Sequence, residues 1–171
     1  MKTEGEKKKR RDKIRFDIRK VTSETWRYFS KYHYLNENLP AGRVFFYGLF
    51  EGENQIGFIS FANYTPKRKG YSWIYHFNRV VIHPDFTGLG LGIYLINEST
   101  KLMKEEHKNA RIMARFSSVP VFKALNRDDH WRLLKVCKVM KRMKSGKGMD
   151  RNDSFRDKGT TSFSFEYTGR I

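Results

Sequence analysis

A cluster of glycines between a predicted strand and a predicted helix limits the fold of this chain more than any other feature. The apolar, β-branched segment WIYHFNRVVI predicts a strand that ends before Pro84. Gly88, Gly90 and Gly92 follow, and about fifteen residues with apolar side chains at helical spacing come next. A turn without Cβ atoms lets main-chain N–H groups and the positive end of a helix dipole approach a phosphate. The sequence therefore predicts an anion-binding turn, with a tight packing turn as the alternative.

The spacing of these glycines distinguishes the turn from two other phosphate-binding loops. The dinucleotide fingerprint is G-x-G-x-x-G and lies in the first β-α unit of a parallel sheet. Here the glycines are spaced as TGLGLG, and four predicted strands precede them. A P-loop needs Gly-Lys followed by Ser or Thr, which is absent from this segment. The P-loop is therefore excluded, and the spacing and position of the glycines differ from those of the dinucleotide fingerprint.

The rest of the chain predicts one α/β domain. Its 171 residues suffice for one domain and are too few for two enzyme domains. We expect residues 1–12 to be a flexible basic arm and residues 13–171 to form a central mixed, mostly antiparallel sheet of six to seven strands flanked by helices. The predicted strands are 14–21, 43–51, 54–64, 73–82, 110–116, 131–139 and 161–167. Helices are predicted at 22–35, after the glycine turn, and at 118–127, with a basic loop at about 138–159.

The charge of the chain indicates a polyanionic partner. Lys and Arg number 35 against 18 acidic residues, a formal net charge of +17, and such a field attracts nucleic acid. A solubilising surface is the alternative. The expected nucleic-acid contacts are Lys67, Arg68, Lys69, Lys141, Arg142, Lys144, Lys147 and Arg151. The aromatic residues expected to offer stacking faces are Tyr71, Trp73 and Trp131.

Cysteine content and hydropathy indicate the compartment. Cys137 is the only cysteine, so an intrachain disulfide and a cysteine-rich zinc site are excluded, as suits a reducing cytoplasm. No apolar run approaches the roughly 20 residues of a membrane span. We expect a cytoplasmic protein without a metal. The oligomeric state is left open, with a homodimer as one alternative.

The segment VVIHPDFTGLGLG resembles the signature of the GNAT acetyltransferases, in which V-V-x-P precedes Q/R-x-x-G-x-G/A. The resemblance implies a GNAT fold, acetyl-coenzyme A as cofactor, and transfer of an acetyl group to an amine. It implies that main-chain groups of Val80, Val81 and Ile82 pair with pantetheine. It assigns the pyrophosphate to the turn, at Thr87, Gly88, Leu89, Gly90, Leu91, Gly92 and Ile93. Thr87 stands where the family prefers Gln or Arg, which removes one side-chain phosphate contact and leaves the main-chain amides.

The order of predicted elements is similar to the GNAT family over residues 13–168. In finer detail, KYHYLNENLP and RFSSVPVFKALNRDDHW resemble a GNAT group often encoded by phages or mobile elements. That group is distantly similar to Mom-type DNA base-modification proteins. The finer resemblance implies an acceptor on DNA.

Acetyl transfer to an amine needs a route for the amine proton and donors for the thioester oxygen. His33 is a candidate base because its unperturbed pKa lies near neutrality, and Tyr34 could orient the acceptor; packing at a helix end is the alternative for both. Side chains on the strand at 73–82 should alternate, with Arg79 on one face and Asn78 on the other unless a bulge intervenes, and Asn78 or His76 is expected to line the cleft. Ser117 and Ser118 could contact pantetheine or donate hydrogen bonds, or simply cap the next helix.

Two side chains common in the family are missing. The strand from Tyr71 to Pro84 has no Glu to act as a base, and SVPVFKALNRDDHW has no Tyr to protonate the thiolate. A water chain therefore competes with His33 as the base, and Tyr167 is a reserve acid. Other interpretations stay open: a nucleic-acid-binding protein of this fold without transfer activity, or an enzyme acting on protein lysine, a small amine or charged tRNA.

Overall fold

The computed structural model describes residues 15–33, 38–65, 70–71, 73–138 and 161–169. Its strands are β1 (Phe16–Lys20), β2 (Val44–Glu51), β3 (Asn54–Thr65), β4 (Trp73–Ile82), β5 (Ala110–Phe116), β6 (Trp131–Lys138) and β7 (Thr161–Tyr167). Its helices are α1 (Trp26–Phe29), α2 (Leu91–Glu106) and α3 (Val119–Leu125). The predicted basic arm, and nearly all of the basic loop at 138–159, lie outside the described residues.

The seven strands have the order β1-β2-β3-β4-β5-β7-β6 in one mixed sheet. This confirms the predicted α/β fold class and the strand number. The chain divides into two compact units, one comprising residues 1–112 with 171 and the other residues 113–170.

In the first unit, β1 to β4 form an antiparallel meander with helices on both faces. On one face Trp26 and Phe29 of α1 pack with Phe58 and Val81. On the other face α2 approaches the sheet at Gly57, where an added Cβ would lie 3.2 Å from Leu95 Cδ2 of α2. Because few real Cβ contacts are that short, the glycine allows the helix to pack closely on the sheet.

The second unit contains the end of β5, α3, β6 and β7. Strand β7 pairs antiparallel with both β5 and β6, from Met113↔Glu166 on one side to Trp131↔Tyr167 on the other. The Phe122 ring of α3 stacks on Phe163, with ring centroids 4.2 Å apart. Aromatic stacking therefore joins this helix to its sheet.

The first helical segment differs from the long helix predicted at 22–35. It consists of the four-residue α1 between two 3₁₀ turns, Ser23–Thr25 and Ser30–Tyr32. Thr22 occupies the N-cap position without a side-chain cap; instead, Thr25 Oγ1 donates to the Thr22 carbonyl at 3.0 Å. Ser, Thr and aromatic residues have weak helix propensity, so packing of Trp26 and Phe29 rather than a regular helix fixes this segment. None of the described helices combines the length and apolarity required to cross a membrane.

Candidate active site

The glycine turn links the end of β4 to the start of α2. Pro84–Phe86 form a 3₁₀ turn, and Gly88 and Gly90 both have φ of +77°. A residue with a Cβ adopts this left-handed conformation at a cost of about 1–2 kcal/mol. Glycine at these two positions is therefore required by the backbone.

The amino terminus of α2 presents main-chain donors. Tyr94 N–H makes the first helical bond, to the Gly90 carbonyl at 3.2 Å, so the amides of Leu91, Gly92 and Ile93 precede any helical acceptor. Gly90 is the N-cap residue, and no side chain caps the helix there. A 16-residue helix places about half a positive charge at this end. The arrangement can bind an anion such as a phosphate.

The space around Gly92 shows whether close packing requires a glycine at this position. A Cβ at Gly92 would meet Ile82 Cγ1 at 3.8 Å, an ordinary contact. The packing glycine in β3, Gly57, would instead bring a Cβ within 2.8 Å of Ile82 Cδ1. Packing therefore does not require glycine at position 92, and the main-chain amides at the start of α2 are the feature that fits a phosphate-bearing ligand such as the coenzyme A pyrophosphate.

Thr87 uses its side chain within the turn. Its Oγ1 donates to the Pro84 carbonyl at 2.8 Å, and its main-chain N–H donates to the same oxygen at 3.1 Å. The hydroxyl thus holds the 3₁₀ turn. Any contact with phosphate at this position falls to the main chain of the neighbouring residues.

Strand β4 pairs antiparallel with β3 up to the turn, with two register shifts along the ladder. Val80, Val81 and Ile82 pair with Ile59, Phe58 and Gly57. Those pairings use the main-chain groups on one edge of the strand. The family resemblance assigns the main-chain groups on the other edge to pantetheine.

A β-bulge interrupts the predicted alternation of β4. Val80 pairs with Ile59 and Phe77 with Phe61, so three steps along β4 match two along β3, and Asn78 and Arg79 lie at this irregularity. Phe77 and Val80 therefore share one face of the sheet, and the alternation predicted for the strand fails at Asn78 and Arg79.

The two residues at the bulge are both anchored in the protein. Arg79 donates from its main chain to Ser60 Oγ at 3.2 Å and from its guanidinium to the Asn38 carbonyl at 2.9 Å. The side-chain oxygen of Asn78 is buried.

His33 lies at the end of the second 3₁₀ turn. Its ring contacts the buried Trp26 edge-on, with ring centroids 5.6 Å apart. Its main-chain N–H donates to the Ser30 carbonyl at 3.0 Å. This contact supports the packing role that competes with its role as a base. Tyr34 lies outside the described residues.

A cluster that the sequence analysis did not identify lies beside the turn. His83 Nε2 is 3.3 Å from Tyr32 Oη, and the His83 ring lies parallel to that of Tyr28 at 5.9 Å. The i, i+4 spacing of Tyr28 and Tyr32 could have indicated part of this cluster from the sequence, because it places both rings on one side of a helical segment. Their partner His83 is 51 residues away from Tyr32.

The second unit holds the remaining candidates. Ser118 accepts a hydrogen bond from Val121 N–H at 3.4 Å and so caps α3, whereas Ser117 is half-buried just before it. Leu125, near the place of the family's Tyr, is fully buried. Tyr167 is mostly buried, with His130 stacked on its ring at 6.2 Å.

Of the three predicted stacking residues, Tyr71 is exposed and Trp73 is half-buried, and each of these two rings lies beneath an arginine. The Arg111 guanidinium lies 5.7 Å above the Tyr71 ring, and that of Arg43 lies 4.8 Å above Trp73. The prediction for Trp131 is wrong: it is only 5% exposed. Its ring packs edge-on against Tyr167, because the strand directs it into the core. The eight basic residues predicted to contact nucleic acid, Lys67 to Lys69 and Lys141 to Arg151, lie outside the described residues.

Metal-binding side chains are not grouped in the described part of the chain. Within it, no three or more His, Cys, Asp or Glu residues are placed to hold an ion.

Comparison with known protein structures matches this geometry to one fold. A structure of Arabidopsis thaliana NAA60 in complex with a bisubstrate analogue aligns with a TM-score of 0.63 at 11% identity, over 90% of this chain and 98% of that one. The Escherichia coli ribosomal-protein-S18-alanine N-acetyltransferase gives 0.60 at 9%, over 90% and 93%. An Elizabethkingia anophelis GNAT acetyltransferase with acetyl-CoA bound gives 0.54 at 10%, over 89% and 97%.

Sequence comparison provides the family. No curated protein sequence matches this chain significantly. Residues 14–126, which include the glycine turn and every element from β1 to α3, match the acetyltransferase (GNAT) family. The chain is therefore a member of the acetyltransferase (GNAT) family, whose enzymes use acetyl-CoA.

Proposed function

We propose that this enzyme transfers the acetyl group of acetyl-CoA to an amine carried on nucleic acid, so that it acts in DNA modification. The observation that carries the cofactor assignment is the run of main-chain donors at Leu91–Ile93, behind two glycines in the left-handed conformation. The acceptor assignment depends on the net charge of +17 and on the resemblance to Mom-type proteins.

The cofactor residues are those of the turn and the end of β4. Amides from Leu89 to Ile93 hold the pyrophosphate, and the main chain of Val80–Ile82 holds pantetheine. Ser118 caps α3 as a hydrogen-bond acceptor, and its O–H can still donate to pantetheine. When bound, acetyl-CoA supplies a thioester, an acetyl group activated for attack by an amine.

Removal of the amine proton is assigned to His33, with a water chain as the competing route. His33 is half-exposed, so its ring can exchange protons with solvent even though it contacts Trp26. Asn78 and Ser117 are the candidate hydrogen-bond partners of the substrates, and neither can remove a proton at neutral pH.

The acceptor is tested by transfer from radiolabelled acetyl-CoA to four substrates in parallel: duplex DNA, single-stranded DNA, RNA and a lysine-containing peptide. Label in nucleic acid, with an acetylated nucleoside identified by mass spectrometry after digestion, is the expected result. Label in the peptide alone would contradict the proposed nucleic-acid acceptor but not the acetyltransferase activity. Tight nucleic-acid binding without label in any substrate would instead favour a binding protein of the same fold.

A further inference from the structure

Two exposed tyrosines beside the glycine turn form a surface that the proposed chemistry does not use. Tyr28 is 49% and Tyr32 is 36% exposed, although both belong to the segment that buries Trp26 and Phe29. Their rings meet edge-on with centroids 6.2 Å apart. The exposed part of each ring adds no hydrophobic stabilisation to the fold and is accessible to a ligand.

We propose that Tyr28, Tyr32 and Lys31 form a stacking site for an unpaired base of single-stranded nucleic acid. This inference rests on the proposed nucleic-acid acceptor and names the surface that would hold it. We call these three residues the tyrosine platform.

The tyrosine platform is held rigidly from beneath. His83 stacks on Tyr28 with an interplanar angle of 9° and contacts Tyr32 edge-on at 5.1 Å, and its Nε2 lies 3.3 Å from Tyr32 Oη. The backbone of His83 is anchored by its main-chain N–H, which donates to the Ile56 carbonyl at 2.8 Å. Rings fixed before binding lose little conformational entropy when a base stacks on them.

The charge of the tyrosine platform suits a phosphate backbone. Lys31 Nζ lies 4.9 Å from the centroids of both tyrosine rings, and the exposed Arg27 is on the same helical segment. The acidic partner of this cluster is Asp85, whose carboxylate lies 3.6 Å from His83 Nδ1 rather than on Lys31. Aromatic faces beside a cation are the arrangement that single-stranded nucleic-acid sites use.

The position of the tyrosine platform connects it with the active site. His83 is the residue that follows β4 and precedes the Pro84–Phe86 turn. The same short segment therefore supports the tyrosine platform on one side and leads into the phosphate turn on the other. A base bound here would be near the end of β4.

The test compares two labelled oligomers of equal length by fluorescence anisotropy: oligo-dT, and an abasic strand with the same phosphates. We expect wild type to prefer oligo-dT. Tyr28→Ala with Tyr32→Ala should weaken oligo-dT binding about 5- to 150-fold and leave abasic binding within about threefold, because only base stacking is removed. Tyr28→Phe should retain the preference.

The control is Leu134→Ala, which removes an exposed apolar side chain outside the tyrosine platform, and coenzyme A affinity is measured in every variant. If the double variant keeps the preference for oligo-dT, the tyrosine platform is refuted and the proposed acceptor stands. If its coenzyme A affinity falls instead, the stacked base is the cofactor adenine, which also refutes the proposal. If wild type binds neither oligomer at low salt, the nucleic-acid acceptor itself fails.

Discussion

Replacement of Gly90 by Glu tests the cofactor site most directly. Gly90 has φ of +77° and is the N-cap of α2. A Cβ in this conformation costs about 1–2 kcal/mol of folding free energy, and an acid at a helix amino terminus restores about 0.3–1 kcal/mol. We therefore expect a net loss of about 1 kcal/mol, which lowers Tm by roughly 2–4 °C and leaves the protein folded.

The effect of Gly90→Glu on coenzyme A binding should be far larger. A carboxylate about 4 Å from a phosphate charge costs about 4 kcal/mol at an effective dielectric constant of 20. That corresponds to about a thousandfold increase in Kd, and salt should reduce the effect. Titration calorimetry with coenzyme A measures the Kd, and thermal unfolding confirms the fold.

Two controls separate charge from shape. Gly90→Gln adds the same volume without charge and should weaken binding less than Gly90→Glu. Gly92→Ala places a Cβ 3.8 Å from Ile82 and should leave Kd within about threefold and Tm unchanged or raised, because alanine favours helix. A folded Gly90→Glu protein with wild-type affinity for coenzyme A would refute the cofactor assignment.

Three further predictions concern catalysis, pH and salt. If His33 is the base, His33→Ala should lower turnover about 10²- to 10⁴-fold and remove the acidic limb of the pH–rate profile without changing coenzyme A affinity; a loss below about threefold with a lower Tm would assign His33 to packing against Trp26. Burial, and secondarily the charge of Arg43, lower the pKa of His107, so the unfolded chain takes up the proton first. The free energy of unfolding should therefore fall as pH drops below about 6.5. His107→Phe should flatten that dependence between pH 7 and 5. Nucleic-acid affinity should fall steeply with salt, with a log–log slope of about −0.9 per phosphate contact on duplex DNA. Joint replacement of four basic residues should flatten the slope: Lys141, Arg142, Lys144 and Lys147. An unchanged slope would place the nucleic-acid contact surface elsewhere.

Local patterns were sufficient for most of the fold. The bounds of β5 and β7 agree with the apolar alternation that predicted them, and α3 begins one residue before Pro120, as a proline in the first turn requires. The prediction at residues 22–35 was weaker, because Ser, Thr and aromatic residues specify no regular helix by themselves. There the packing of two side chains set the outcome.

The sequence alone determined the glycine turn, because glycine spacing, the strand before it and the helix after it are all local properties. The tertiary structure decided which aromatic residues face solvent. Trp131 is buried against Tyr167, whereas Tyr28 and Tyr32 stay exposed over His83. The sequence separation between Tyr32 and His83 is 51 residues. No periodicity within a short window reports such a contact, since only the paired strands and the packing of α1 against them bring these rings together.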